Sequence, residues 1–280
     1  MPDDARVRQE ISSHYESGYE AQRLAQGMSR LELARTQELL ERYLPPPPAV
    51  VLDVGGGPGV YAFWLAQKGY AVHLLDAMPV HIEQARAASE HSATPLASLR
   101  VGDARELPFA DASADLVLML GPLYHLTERD DRIHALREGQ RVLHSGGRLV
   151  AAAISRFTST LDGLVHGYLD DEAFVQIARQ DLHDGQHRNP SNHPAYFTTA
   201  FFHHPDELKA DVEVAGLAHE RTLPVEGPGW LLQDFDQQWA DARRRARLLE
   251  AIRWLEDEHT LLGASAHLLV VARKAVQGNL

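Results

Sequence analysis

The 280-residue chain contains no cysteine. Disulfides, thiolate zinc sites, iron–sulfur clusters and cysteine nucleophiles are therefore excluded, and the composition fits a reducing compartment. Lysine is almost missing too: Lys68, Lys209 and Lys274 are the only ones, and the formal net charge is −12. A dense basic surface able to neutralise nucleic-acid phosphates cannot be built from these residues, which disfavours a nucleic-acid partner. The one local basic run, Arg243-Arg244-Arg245 with Arg247, reads as a solvated helix face. No stretch of about 18 uninterrupted apolar residues occurs. Met1 is followed by Pro2, Asp3 and Asp4 instead of a basic-then-apolar leader. The expectation is a cytoplasmic protein with no membrane partner, either monomer or homodimer.

What is present is an apolar content of 44%, enough for a sizeable core at this length. The run Pro45–Pro48 cannot be helical and separates two regions of different period. Before it, apolar positions such as Leu24, Met28, Leu31, Leu39 and Leu40 among polar ones predict two amphipathic helices, an amino-terminal helical cap over residues 1–44. After it, in residues 45–280, short apolar runs at Val50–Val54, Ala71–Leu75, Ser98–Val101, Leu116–Leu120 and Arg148–Ile154 alternate with helical stretches near Val60–Gln67, Val80–Ser89 and Arg129–Leu143. Such alternation predicts an α/β fold with a parallel sheet covered on both faces. Gly146-Gly147 supplies the turn into the fifth strand. The alternation stops over about 155–204, in a stretch rich in histidine and aromatics. It resumes with a helix at Pro205–Ala215, a strand near His219–Val225, a helical insertion over about 228–262 and a last strand at Ala266–Ala272.

The most informative segment is Val51-Leu52-Asp53-Val54-Gly55-Gly56-Gly57-Pro58-Gly59, an apolar strand that runs into a glycine-rich turn ahead of a helix. Glycines let the chain turn sharply and let a ligand approach bare backbone. A dinucleotide fingerprint would place a further glycine where Val60 stands. Asp76 ends the second strand, where a parallel sheet brings it beside the glycine loop and a carboxylate can accept both hydroxyls of a ribose. Asp103 follows the third strand at the same edge, where it can accept from an adenine amino group. Ordinary turn aspartates are the alternative for both.

With these motifs in their order, the chain resembles the class I S-adenosylmethionine-dependent methyltransferases. Asp53–Gly59 is similar to the family's first motif, Asp76 to its ribose-binding acid and Asp103-Ala104 to its adenine-side motif. Phe109–Leu118 resembles the fourth-strand segment, and Leu143–Leu149 the turn before the fifth strand. The resemblance implies S-adenosyl-L-methionine as cofactor. It also implies a seven-stranded, mostly parallel, doubly wound sheet whose last strand is antiparallel, with the helical insertions forming a substrate lid. It implies cofactor contacts from Asp53 (near the methionine end), Gly55, Gly56, Gly57, Gly59, Asp76, Ala77, Asp103, Ala104 and Leu120. In the amino-terminal cap, Arg35, Arg23 and Tyr19 are candidates to close over the cofactor, with Arg35 or Arg23 pairing with its carboxylate. Surface ion pairs with Glu20, Glu32 or Glu38 are the alternative for the arginines.

Methyl transfer from a sulfonium is an in-line displacement, so most of its catalysis comes from positioning. The segment Gly121-Pro122-Leu123-Tyr124-His125-Leu126 follows the fourth strand at the ligand-binding edge. By position it is similar to the Asn/Asp-Pro-Pro-Tyr motif of enzymes that methylate amino groups. Gly121 and Leu123 depart from that pattern and remove the amine-gripping carbonyl. Tyr124 and His125 are the catalytic candidates, His125 as a base for an acceptor that must lose a proton; packing under the cap is the alternative. His183 and His187 have the spacing of two ligands on one helical face, but nothing in the spacing fixes a third ligand, and no metal is expected. Trp230 is either a pocket wall or a core anchor. The acidic surface and the lid point to a small-molecule methyl acceptor. A tRNA, rRNA or protein acceptor, or a cofactor-binding scaffold without turnover, is the competing expectation.

Overall fold

A computed structural model describes residues 10–11 and 23–276. Its framework is a single sheet, whose first five strands are β1 (Val50–Val54), β2 (Ala71–Asp76), β3 (Ser98–Val101), β4 (Ala114–Met119) and β5 (Leu143–Ser155). They lie in the order β3-β2-β1-β4-β5 and are all parallel. The chain's last strand, β9 (His267–Arg273), pairs antiparallel with β5 and with β8 (Ala218–Pro224). These seven strands are the sheet expected from the sequence. Two more belong to the first insertion: β6 (Gln186–His187) pairs with β7 (Ala200–His203), and β7 pairs with the end of β5 through Ile154–Phe202 and Ser155–His203.

Alternation along the strands sends side chains to opposite faces, and both faces are dry. Leu52, Val54, Val117, Met119 and Leu149 pack with Ala135 and Leu136 of α5 (Arg129–Val142) and with Leu208 and Val212 of α8 (Pro205–Val214). Val51, Val72, Leu74, Leu116 and Leu118 face the other way. They meet α1 (Ser29–Glu41) at Leu39 and Leu40, α2 (Val60–Gln67) at Ala62 and Leu65, and α3 (Pro79–Glu90) at Ile82 and Ala85. Truncating one of these side chains to alanine typically costs about 2–5 kcal/mol. Helix α1, expected as part of a cap, is thus built into the main core, and most of the chain before it lies outside the described residues. Strand β5 begins five residues earlier than its apolar run suggests. The Gly146-Gly147 turn is absorbed in it, where the register with β4 shifts and Gly146 takes φ +81°.

The first insertion folds as α6 (Thr158–His166), α7 (Glu172–Asp184) and the β6–β7 pair, with a small core of Phe174, Ile177, Ala178 and Tyr196. The second is α9 (Phe235–Ala240) and α10 (Ala242–Leu255), whose Phe235 and Ile252 pack on Leu31 of α1. None of the described helices is long and apolar enough to cross a membrane.

Candidate active site

A cavity of about 780 Å³ lies along the carboxyl edge of the parallel strands, where open α/β sheets bind ligands. Strand order gives it a direction. At the β3 and β2 end it is lined by Asp103, Ala104, Asp76 and Ala77; at β1 by Gly55, Gly56 and Gly57; past β4 by Leu120, Tyr124 and His125; and at β5 and β9 by Ala152 and His267.

The glycine loop is bare backbone by necessity. Gly55, Gly57 and Gly59 have φ of +70°, +56° and +95°, a region costly for residues with a Cβ. A Cβ on Gly55 would sit 2.6 Å from Cγ of Pro122, and one on Gly56 would strike the Asp53 carboxylate. Next to it Asp76, 6% exposed, accepts the N–H of Gly57 on Oδ2 and the N–H of Met78 on Oδ1, both at 2.8 Å. Nδ1 of His81 lies 3.1 Å from the same Oδ1. Asp103 receives its neighbour Arg105 at 3.0 Å from Nε and 2.6 Å from an η nitrogen, and Arg105 also reaches Asp131 at 2.8 Å. These carboxylates pull the guanidinium pKa upward. A bare loop, two acids on successive strand ends and the apolar surfaces of Leu75, Met78 and Ala104 between them suit a nucleoside with an amino-acid tail, the shape of S-adenosylmethionine.

On the acceptor side the short helix α4 (Pro122–His125) carries Tyr124 and His125 into the lining. Their rings meet edge to face at 4.7 Å, and His125 stacks on Phe197 of the first insertion at 6.2 Å. Buried Arg132 braces the next stretch by donating to the carbonyls of Leu126 and Thr127 at 3.0 and 2.9 Å. It also pairs with buried Asp211 at 3.2 Å and lies 3.6 Å from the centre of the Phe201 ring. The insertion contributes Arg188 to the lining.

Several expected positions fall elsewhere. Arg35 does not reach the cavity. It is fully buried, paired with Glu38 and Glu256 at 2.7 Å each, and donates to the Val225 carbonyl, so its charge is consumed in anchoring α1 to the end of α10. Tyr19 lies outside the described residues. Gly59 caps α2 behind the loop. Asp53 also sits behind it, wholly buried and out of the cavity. Burial, with Asp76 adding repulsion, pushes the Asp53 carboxyl up to about 7. The segment 228–262 adds no wall among the described lining residues; Trp230 is a core anchor, its Nε1–H on the Ala264 carbonyl at 2.9 Å. His187 is taken up on both ring nitrogens, by Asp181 at 2.9 Å and the Tyr196 carbonyl at 2.7 Å, whereas His183 is exposed, so the two do not form a ligand pair.

Sequence reasoning missed the Glu226–His267 pair at the β9 end, whereas the Arg23–Glu32 pair beside it is the ion-pair alternative offered for Arg23. Glu32 of α1 is held by both terminal nitrogens of Arg23, at 2.6 and 3.0 Å. Nδ1 of His267 lies 2.6 Å from Glu226, a buried carboxylate that also accepts from Ser265 Oγ and the His267 N–H. Burial disfavours a charge on His267, but Glu226 and Glu32 outweigh it and raise its pKa to about 9. Glu226 and His267 stand 41 residues apart, and no local spacing connects them.

Comparison with known proteins gives this arrangement a family. Residues 52–151 match the model of a methyltransferase domain. Methyltransferase GfsG of Streptomyces halstedii is 36% identical over 210 residues, covering 72% of this chain and 66% of that protein. This chain belongs to the class I S-adenosylmethionine-dependent methyltransferases. The malonyl-[acyl-carrier protein] O-methyltransferase of Methylococcus capsulatus is another relative, 34% identical over 137 residues, 47% of this chain and 48% of that one. The matched stretch thus spans from about half to just under two thirds of these curated methyltransferases. A solved S-adenosylmethionine-dependent methyltransferase from Methanosarcina mazei shares the fold, with a TM-score of 0.58 at 18% identity over 85% of this chain and 98% of that chain. The family's cofactor is S-adenosylmethionine, and the loop and acids described above fit it.

Proposed function

We propose that the chain transfers the methyl group of S-adenosylmethionine to a small-molecule acceptor in the cytoplasm. The observation that carries this reading is the continuous cavity. At about 780 Å³ it lies within the range of small-molecule sites, ~300–1,000 Å³, and it runs from the glycine loop to Tyr124 and His125 beyond β4. The net charge of −12 speaks against a nucleic-acid acceptor.

The cofactor, when bound, supplies a methyl group activated by its sulfonium. The protein's part is to hold and to exclude. Asp76 and Asp103 offer acceptor oxygens at the adenosine side, with Ala77 and Ala104 beside them. Gly55, Gly56 and Gly57 provide close backbone, and Leu120 an apolar floor. Tyr124 and His125 face the acceptor and keep its reacting atom near the line of displacement, where alignment in a dry site lowers the barrier most.

Transfer of labelled methyl from S-adenosylmethionine into a host-cell extract, fractionated into metabolites, RNA and protein, tests the reading. Label in the metabolite fraction is the expected result. Label in RNA or protein overturns the small-molecule assignment, and failure of S-adenosylhomocysteine to bind overturns the cofactor assignment.

A further inference from the structure

The β9 end of the cavity has a feature that methyl transfer as such does not require. His267 lines it, and its Nδ1 is committed to Glu226, which stands behind the wall. That bond turns Nε2 away from Glu226, and among the described residues Nε2 has no hydrogen-bond partner. One oxygen of Glu32, one of Glu226 and one ring nitrogen of His267 lie within 4.8 Å of one another. The donor set is unsuited to a metal, because both Glu32 oxygens are already bonded to Arg23 and Glu226 is filled by Ser265, the His267 N–H and the imidazole. Of the charged groups facing His267, Glu226 is out of the cavity, while Arg23 and Glu32 line it. Among the described residues the lining here presents Arg23 and His267 against Glu32, whereas the β2–β3 end presents Asp76, Asp103 and Asp131 against Arg105.

Resting on the methyl-transfer reading, we infer that the β9 end binds the acceptor as an oxygen anion, a carboxylate or a phenolate, with Nε2–H of His267 as its donor. An oxyanion needs no base: an oxygen lone pair forms the O–C bond as the C–S bond breaks, and that bond's electron pair goes to sulfur. Glu226 and Glu32 keep the imidazole protonated to about pH 9, so the donor is present throughout the neutral range. Above that pH the proton is lost and anion binding weakens.

The test uses the full chain and four probes, benzoate, 4-nitrophenolate, benzamide and benzylamine, titrated by calorimetry and by the ¹⁵N shift of His267 with and without S-adenosylhomocysteine. Benzoate or 4-nitrophenolate should bind at least tenfold tighter than benzamide or benzylamine and move the His267 signal. His267→Gln should weaken the anion at least tenfold and leave S-adenosylhomocysteine affinity unchanged. Glu226→Gln, which keeps the shape, should shift the upper pH limit of anion binding downward, a change a merely structural role would not produce. Equal binding of the neutral or cationic probe, no binding of either anion, or indifference of anion binding to His267→Gln overturns the inference. S-adenosylhomocysteine binding, read separately, reports on the cofactor reading. Alkali treatment of the labelled metabolite separates the two sources, since a methyl ester is hydrolysed and an aryl ether survives; label on nitrogen or carbon overturns the inference.

Discussion

Asp76 ties the end of β2 to the glycine loop, its Oδ2 accepting the Gly57 N–H at 2.8 Å. The carboxylate that faces the adenosine side therefore also shapes the loop next to it. Replacing Asp76 with alanine is expected to weaken S-adenosylhomocysteine binding tenfold or more, from loss of charge-assisted hydrogen bonds worth about 1.5–3 kcal/mol. Calorimetric titration checks this, and an unchanged affinity removes Asp76 from the cofactor site.

Gly55→Ala tests the need for bare backbone. With φ at +70° and a new Cβ 2.6 Å from the Pro122 ring, either the loop or α4 must move. Left-handed strain plus the clash should lower unfolding stability by about 1–3 kcal/mol and reduce cofactor affinity in the same variant. Thermal melts with and without S-adenosylhomocysteine separate the two effects.

Asp53 gives a pH signature. Its carboxyl is raised to about 7 by burial, so the folded state binds its proton more tightly than the unfolded state. Its contribution to stability then falls as pH rises from about 4 to about 7 and stays low above that. Asp53→Asn should accordingly raise the melting temperature relative to wild type at pH 8 and have a much smaller effect at pH 4. A difference between the two proteins that does not vary with pH would contradict the assignment.

Asp211→Ala should be among the most damaging changes outside the cavity. It leaves Arg132, 3% exposed, without its buried carboxylate, a loss of about 3–5 kcal/mol for a pair of this kind. Because Arg132 also holds the carbonyls of Leu126 and Thr127, the variant should lose acceptor-dependent turnover ahead of cofactor affinity. Denaturant unfolding and single-turnover kinetics measure the two parts.

His125→Ala should lower kcat/KM roughly tenfold or more and leave S-adenosylhomocysteine affinity intact. Turnover indifferent to this change would return His125 to packing against Phe197 and Tyr124.

The parallel half of the sheet was legible because its determinants are local. A strand, a glycine turn and a helix are written consecutively at Val50–Gln67, Asp76 ends the second strand and Asp103 follows the third. Two kinds of information were not local. Arg35 looks like a cofactor ligand in sequence, but Glu256, far along the chain, decides its fate. The Glu226–His267 pair exists because the end of β8 lies beside β9 in the sheet, and α1 brings the Arg23–Glu32 pair to the same cavity. The strand β7 was hidden because its run Ala200–His203 is short and lies among aromatics that could equally have filled a loop.

Only two register pairs join β7 to β5, and the first insertion carries an aromatic core of its own. Tyr124 and Phe197 both pack on Ile154, Ala200 and Phe202 where this unit meets α4. The arrangement amounts to a replaceable cassette held by one strand end and by a few side-chain contacts, among them Phe201 on Arg132 and Gln186 on the Thr127 carbonyl. A graft exchanging residues 156–203 would alter the acceptor wall while leaving strands β1 to β4, and the floor they provide for the cofactor, in their original covalent and hydrogen-bonded setting.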